Sequence, residues 1–302
     1  MVLLAAFTAL TLSLAPPAPD GASKAADLRA AGPALGVPAR MSKPPNLSRL
    51  VVRIPDAAPA IALPTIEGPA DARRPLVVID AGHGGHDPGA YNETLDIREK
   101  DLTLAIAQAI RDELLKTGRI RVALTRSDDR FLILQERYSI ASKLGAGLFI
   151  SIHADAAEDS DARGATVYTL SDVASDREAA RLAARENRTD VINGVDLSGA
   201  STAVSSILID LMRRETMEAS TRFADILHRE GVRHFRFRSP YHRQASLVVL
   251  KAADTPSVLL ETGYVSNDDE AGWMATRDGR LQLAKGVAAA VSVYFARQSV
   301  QR

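Results

Sequence analysis

Four side chains stand where this chain could do chemistry: His83, Glu99, His153 and Glu261. His83 follows the run Leu76-Val77-Val78-Ile79-Asp80, which reads as a buried strand, and it sits at the break into Gly82-His83-Gly84-Gly85. Glycines there let the backbone turn sharply and let other groups come close. His153 ends the run Phe149-Ile150-Ser151-Ile152, and Glu261 ends Val258-Leu259-Leu260. In open α/β sheets the C-terminal ends of strands are where ligands collect. Glu99 opens a helix, with Leu102 and Ile106 at i+3 and i+7, so it lies on the buried stripe and needs a partner. Read alone, Glu99 could merely answer the helix dipole. A lone histidine or glutamate at a strand end is more often a satisfied polar group than a catalyst. Four at one sheet edge point to chemistry.

Two histidines and one carboxylate are a ligand set for catalytic zinc, with a position left for water. Zinc lowers the pKa of that water to about 7 and polarises a carbonyl. A free carboxylate beside it can take the water's proton and pass it to a leaving nitrogen, a role that suits Glu261. No HExxH helix occurs, so such a site must be gathered from separate strands. His86 is near His83 in sequence, but its place in the glycine turn faces it differently. His228, His234 and His242 read as surface or structural residues, with groove lining a second reading for His242.

The elements that must hold these residues begin at Pro75. Strands are expected at Leu76–Asp80, Arg121–Thr125, Leu148–Ile152, Ala165–Leu170, Ser246–Leu250 and Ser257–Glu261. Helical periodicity fills Lys100–Thr117, Leu132–Leu144, Asp176–Asn187, Ser206–Glu230 and Arg280–Arg297. This alternation predicts an α/β fold: a mostly parallel, twisted sheet of about six strands with helices on both faces. Upstream, residues 1–23 resemble the apolar part of a secretory signal without its basic start, and Met41 is an alternative start. Residues 24–74 read as a Pro/Ala-rich linker with one strand, Arg49–Ile54, as the remnant of a small β domain.

The 302 residues carry 37 basic and 37 acidic side chains. Zero net charge offers no general argument for nucleic acid, which is not expected as a partner. Val2–Leu14 is too short to span a bilayer, so no transmembrane span is expected. With no cysteine, disulfides and thiolate metal sites are excluded, and any metal must be held by His, Asp or Glu.

The blocks GHGGHDPGA, REKDLTLAIA, SIHADA and SVLLETGYVSN resemble, in that order, the zinc-dependent N-acetylmuramoyl-L-alanine amidases of the bacterial cell envelope. The resemblance spans roughly Pro75 to Phe295, and residues 75–298 are taken as the catalytic domain. It implies Zn2+ held by His83, Glu99 and His153, with Glu261 as the catalytic carboxylate. It implies cleavage of the amide between N-acetylmuramic acid and L-alanine in peptidoglycan, a periplasmic location and a part in cell division. Tyr264 stands where the family commonly has Phe. Zinc ligands alone leave two alternatives: another zinc hydrolase of wall material, such as a deacetylase or carboxypeptidase, and an inactive wall-binding regulator. The basic run Arg233–Arg243 reads as a solvated connection, with the anionic stem peptide as a second option.

The connection from Ser171 to Ala245 is unusually long, and such loops in compact domains are usually functional. It holds a turn-rich piece, Asn193–Gly199, and then Ser206–Met212, apolar at Ile207, Leu208, Ile209, Leu211 and Met212. A helix that apolar should dock on something. It reads either as packed permanently on the sheet or as a lid and a docking surface for an activator protein. The connection also resembles the insertion of a subset of the family, in which a glutamate fills the metal's open position. Glu186 is the best match for that residue.

Overall fold

The computed structural model describes residues 62–157, 159, 161–189 and 206–301. The leader-like segment, the Arg49–Ile54 strand, the turn-rich Asn193–Gly199 and the side chains of Ile207–Leu211 lie outside what is described.

Six strands form the main sheet: β1 (Leu76–Ala81), β4 (Arg121–Leu124), β5 (Leu148–His153), β6 (Ala165–Leu170), β7 (Phe237–Ala245) and β8 (Ser257–Glu261). Their spatial order is β4-β1-β5-β8-β6-β7, and every pairing is parallel except β6 with β8. Strands β2 (Tyr91–Asn92) and β3 (Ile97–Arg98) make a small hairpin between β1 and the first helix. The helices are α1 (Glu99–Lys116), α2 (Leu134–Leu144), α3 (Arg177–Glu186), α4 (Ser206–Gly231), α5 (Asp268–Ala275) and α6 (Arg277–Gln301).

The alternation of strand side chains divides the core in two. Val77, Ile79, Ile150, Ile152, Val258 and Leu260 face α1, α4 and α6, where Ile106, Ile110, Phe223, Leu227, Val287 and Val291 are wholly or almost wholly buried. Val78, Phe149, Tyr168 and Leu259 face the other way, onto Ile140 and Ala141 of α2 and Ala179, Leu182 and Ala183 of α3. The central strands therefore carry apolar side chains on both faces, with polar groups gathered toward the C-terminal ends of β1 and β5.

Two expectations are corrected. The apolar run Ser246–Leu250 is not a strand: Val248–Leu250 is a short 3-10 turn that buries Val249 and Leu250 in the second core. A short apolar run is equally compatible with a buried turn, because periodicity cannot separate the two. The strand lies just upstream, as β7, within the basic run read as a solvated connection; Arg243 in it is buried. As an edge strand β7 has no reason to be apolar, and its sequence hides it. With β7 a strand and the end of α4 in the core, both belong to the layered domain, and α3 is the described helix of the Ser171–Ala245 connection that lies nearest the site. One piece of the expected linker is ordered: Glu67 pairs with Val122 at the margin of β4.

Candidate metal centre

His83, His153 and Glu261 lie at the C-terminal ends of β1, β5 and β8, three adjacent strands, with His153 directly opposite Glu261 in the β5–β8 register. Glu99 is the first residue of α1 and buries its carboxylate against both imidazoles: Oε2 is 3.1 Å from His83 Nε2, and Oε1 is 3.1 Å from His153 Nδ1. The backbone amides of Ala90 and Ala154 donate to its two oxygens and fix its plane. Glu186, the last residue of α3, continues the buried stripe Ala179, Leu182, Ala183. Its Oε2 lies 3.3 Å from His153 Nδ1 and 3.8 Å from His83 Nε2. The structure thus brings the five expected site residues together, all buried.

The arrangement fits a metal ion. Donor atoms of His83, His153 and Glu186 lie within 4.8 Å of one another, the spacing of a ligand set. Nε2 of His83 is buried with no hydrogen bond, although Glu99 is beside it. Its other nitrogen, Nδ1, is 2.8 Å from Asp87 Oδ2; donating that proton leaves Nε2 as the lone-pair atom aimed at the cluster. Charge ties the same groups together. Burial opposes charge on Glu99, but the two imidazoles outweigh it and hold this carboxyl well below the usual range. Burial lowers His83 too, yet Glu99, Glu186 and Asp87 together raise it well above an ordinary histidine. Burial, then the Glu99 and Glu186 charges, push Glu261 well up. Three carboxyl groups and two imidazoles thus meet in one buried cluster, a set of oxygen and nitrogen donors that suits a divalent cation.

Glu261 stands apart from the ligand set. The amide of Asp155 donates to its Oε2, 3.0 Å away, and its Oε1 is buried without a hydrogen bond. One oxygen is held and the other is bare, as a proton carrier requires.

A family model described as N-acetylmuramoyl-L-alanine amidase (Amidase_3) matches residues 77–293. The chain belongs to that family. Among curated relatives it is 36% identical over 231 residues to N-acetylmuramoyl-L-alanine amidase AmiC of Escherichia coli O6:H1, covering 76% of this chain and 55% of that protein. It is 38% identical over 221 residues to AmiA of Escherichia coli K12, covering 73% and 76%. Among solved structures it superposes on the amidase AmiC2 of Nostoc punctiforme with a TM-score of 0.53 and 25% identity, over 74% of this chain and 98% of that one.

Several residues that shape this amidase-family site carry no motif. Two buried arginines pin the turn that presents His83. Arg126 donates to the carbonyls of Ala81, Gly82 and Lys100, and Arg137 donates to Asp80, Ala81 and the His83 carbonyl itself. They hold His83 at φ 60°, a conformation that a residue with a side chain rarely adopts. Asp80 is wholly buried, and Thr125, Ser151 and Arg137 all donate to it. Only Arg137 left a sequence signal: with Leu134 and Ala141 it repeats at i, i+3, i+7 on α2. Gly82 is required, since a Cβ there would lie 2.5 Å from the His153 ring. His86 is exposed beside Phe131, His228 stacks on Tyr241, His234 lies near Gln282 and His242 meets the Thr169 hydroxyl. None of these four joins the cluster.

Proposed function

We propose that the protein is a Zn2+-dependent amidase that cuts the bond between N-acetylmuramic acid and L-alanine in peptidoglycan. The observation that carries this reading is the burial of His83, His153, Glu99 and Glu261 at one sheet edge, in a chain of the amidase family. His83, Glu99 and His153 would hold the ion. The donor set, imidazole and carboxylate with no thiolate, suits zinc. When bound there, Zn2+ would polarise the scissile carbonyl and acidify water. Glu261 then takes a proton from the attacking water at its bare Oε1 and gives it to the departing alanine nitrogen. Asp87 keeps the His83 ring in one tautomer, and Arg137 keeps its backbone in place.

Glu186 adds regulation to this reading. With its carboxylate against both histidines, α3 closes the position that water would take. The resting enzyme is then autoinhibited, and an activator docking on the helix around Ile207–Met212 opens it by binding the open state more tightly. Action on the wall in cell separation implies export to the periplasm. Among the described residues no helix is long and apolar enough to cross a membrane.

Purified sacculi digested with the protein, read by mass spectrometry, test the reading. Free stem peptides beginning with L-alanine are expected. Deacetylated sugars or trimmed peptides would assign another hydrolase, and unchanged sacculi with an opened α3 variant would leave a binding protein.

A further inference from the structure

The face of α3 toward β7 is held by charges that the catalytic reading does not use. Arg243 on β7 is 6% exposed, and it grips Asp176 Oδ1 at 2.6 Å and Glu178 Oε2 at 3.0 Å. Its Nε is buried with no hydrogen bond. Arg238, on the same strand, also pairs with Glu178, donates to the Tyr264 hydroxyl at 3.0 Å and lies over the Tyr264 ring. Tyr264 and Asp155 connect this patch to the metal cluster. Tyr264 follows Glu261 by three residues, and Asp155, whose amide holds Glu261, lines the same space. Between α3 and the sheet lies a cavity of about 200 Å³, walled by Tyr168, Tyr264 and Arg238 below and by Glu178 and Leu182 above.

Stapling a helix to a surface does not require a nine-tenths buried guanidinium. Such a cation is costly to desolvate and is kept only with excellent partners. A planar fork is, however, the geometry that grips carboxylates. Resting on the amidase reading above, we propose that Arg243 and Arg238, with Tyr264, form a carboxylate receptor for the acidic peptide side of the substrate. Asp176 and Glu178 occupy that receptor while Glu186 occupies the metal cluster. α3 is thus a substrate mimic at two points: one carboxylate stands at the reaction centre and two stand where the peptide's own acids bind. Leaving of α3 exposes the cations and the cavity together.

Calorimetric titration of the full chain with the dipeptide L-Ala-D-Glu, and with its bis-amide, tests the proposal. The dipeptide has no muramoyl group, so binding is read without turnover. The double variant Asp176→Asn, Glu178→Gln should bind the acid at least about tenfold tighter than the parent, with no gain for the amide. Asparagine still caps α3, so the helix keeps its start. Adding Arg243→Gln, or separately the less buried Arg238→Gln, should remove the gain, and the second serves if the first does not fold. Equal binding by parent and double variant, an equal gain for the amide, or a gain that survives loss of both arginines would overturn it. A charge-specific gain in a protein that leaves sacculi intact would support the receptor while removing the amidase reading.

Discussion

At the scale of single residues, the cluster separates oxygens that are hydrogen-bonded from one that is bare. Glu261 keeps one oxygen tied to the Asp155 amide and one free. Glu261→Gln preserves shape but cannot accept a proton. It should keep its metal and lose about 10²–10⁴-fold in turnover, read as metal content beside rate on sacculi. Near-parental rates would take Glu261 out of the mechanism. Gly82→Ala should do the opposite. Its methyl would meet the His153 ring, so metal stoichiometry should fall while circular dichroism stays native. The five residues that meet in the cluster were legible because each sits in a local signal, a glycine break, a strand end or a buried stripe. Arg126 and Asp80 were not. An arginine in a sequence reads as a solvated head on an apolar stem. Only the carbonyls that Arg126 meets, contributed by β1 and α1, make it interior.

At the scale of elements, α3 has an apolar stripe on the second core and a polar end on the buried histidine–glutamate cluster. Asn187 fastens that end, donating from Nδ2 to the Ser246 carbonyl at 2.8 Å and accepting from the Val248 amide at 2.9 Å. Glu186→Ala should raise basal activity on sacculi without any partner. Asn187→Ala, which leaves the carboxylate present but its anchor cut, should give a smaller rise. If both are folded, metal-loaded and no faster than the parent, α3 is a structural helix. The anchor explains why Ser246–Leu250 resisted reading: its backbone serves α3 and the second core rather than a neighbouring strand. The central strands were plain in the sequence because burial on both faces leaves a largely apolar run. Edge strand β7, facing charges, left none.

At the scale of the whole domain, stability and chemistry share the sheet edge. Burial alone would raise the Asp80 carboxyl, but Arg137, Thr125 and Ser151 hold it below its ordinary 3.8. A depressed folded pKa contributes stability that is present above the unfolded value and lost as pH falls below about 4. Asp80→Asn should therefore flatten that acid limb of the stability curve. It should also cost about 3–5 kcal/mol near neutrality by leaving Arg137 buried without its charge. Urea midpoints across about pH 3–7 would show both effects. The strand order has a further consequence. β8 lies mid-sheet, between β5 and β6, although only two helices follow it in the chain. Until β8 is made, the two halves of the sheet have no shared neighbour, and such long-range pairing forms slowly. The last strand to join also brings Glu261. A nascent or truncated copy that lacks β8 can therefore carry both histidines and still lack the carboxyl group that stands opposite His153.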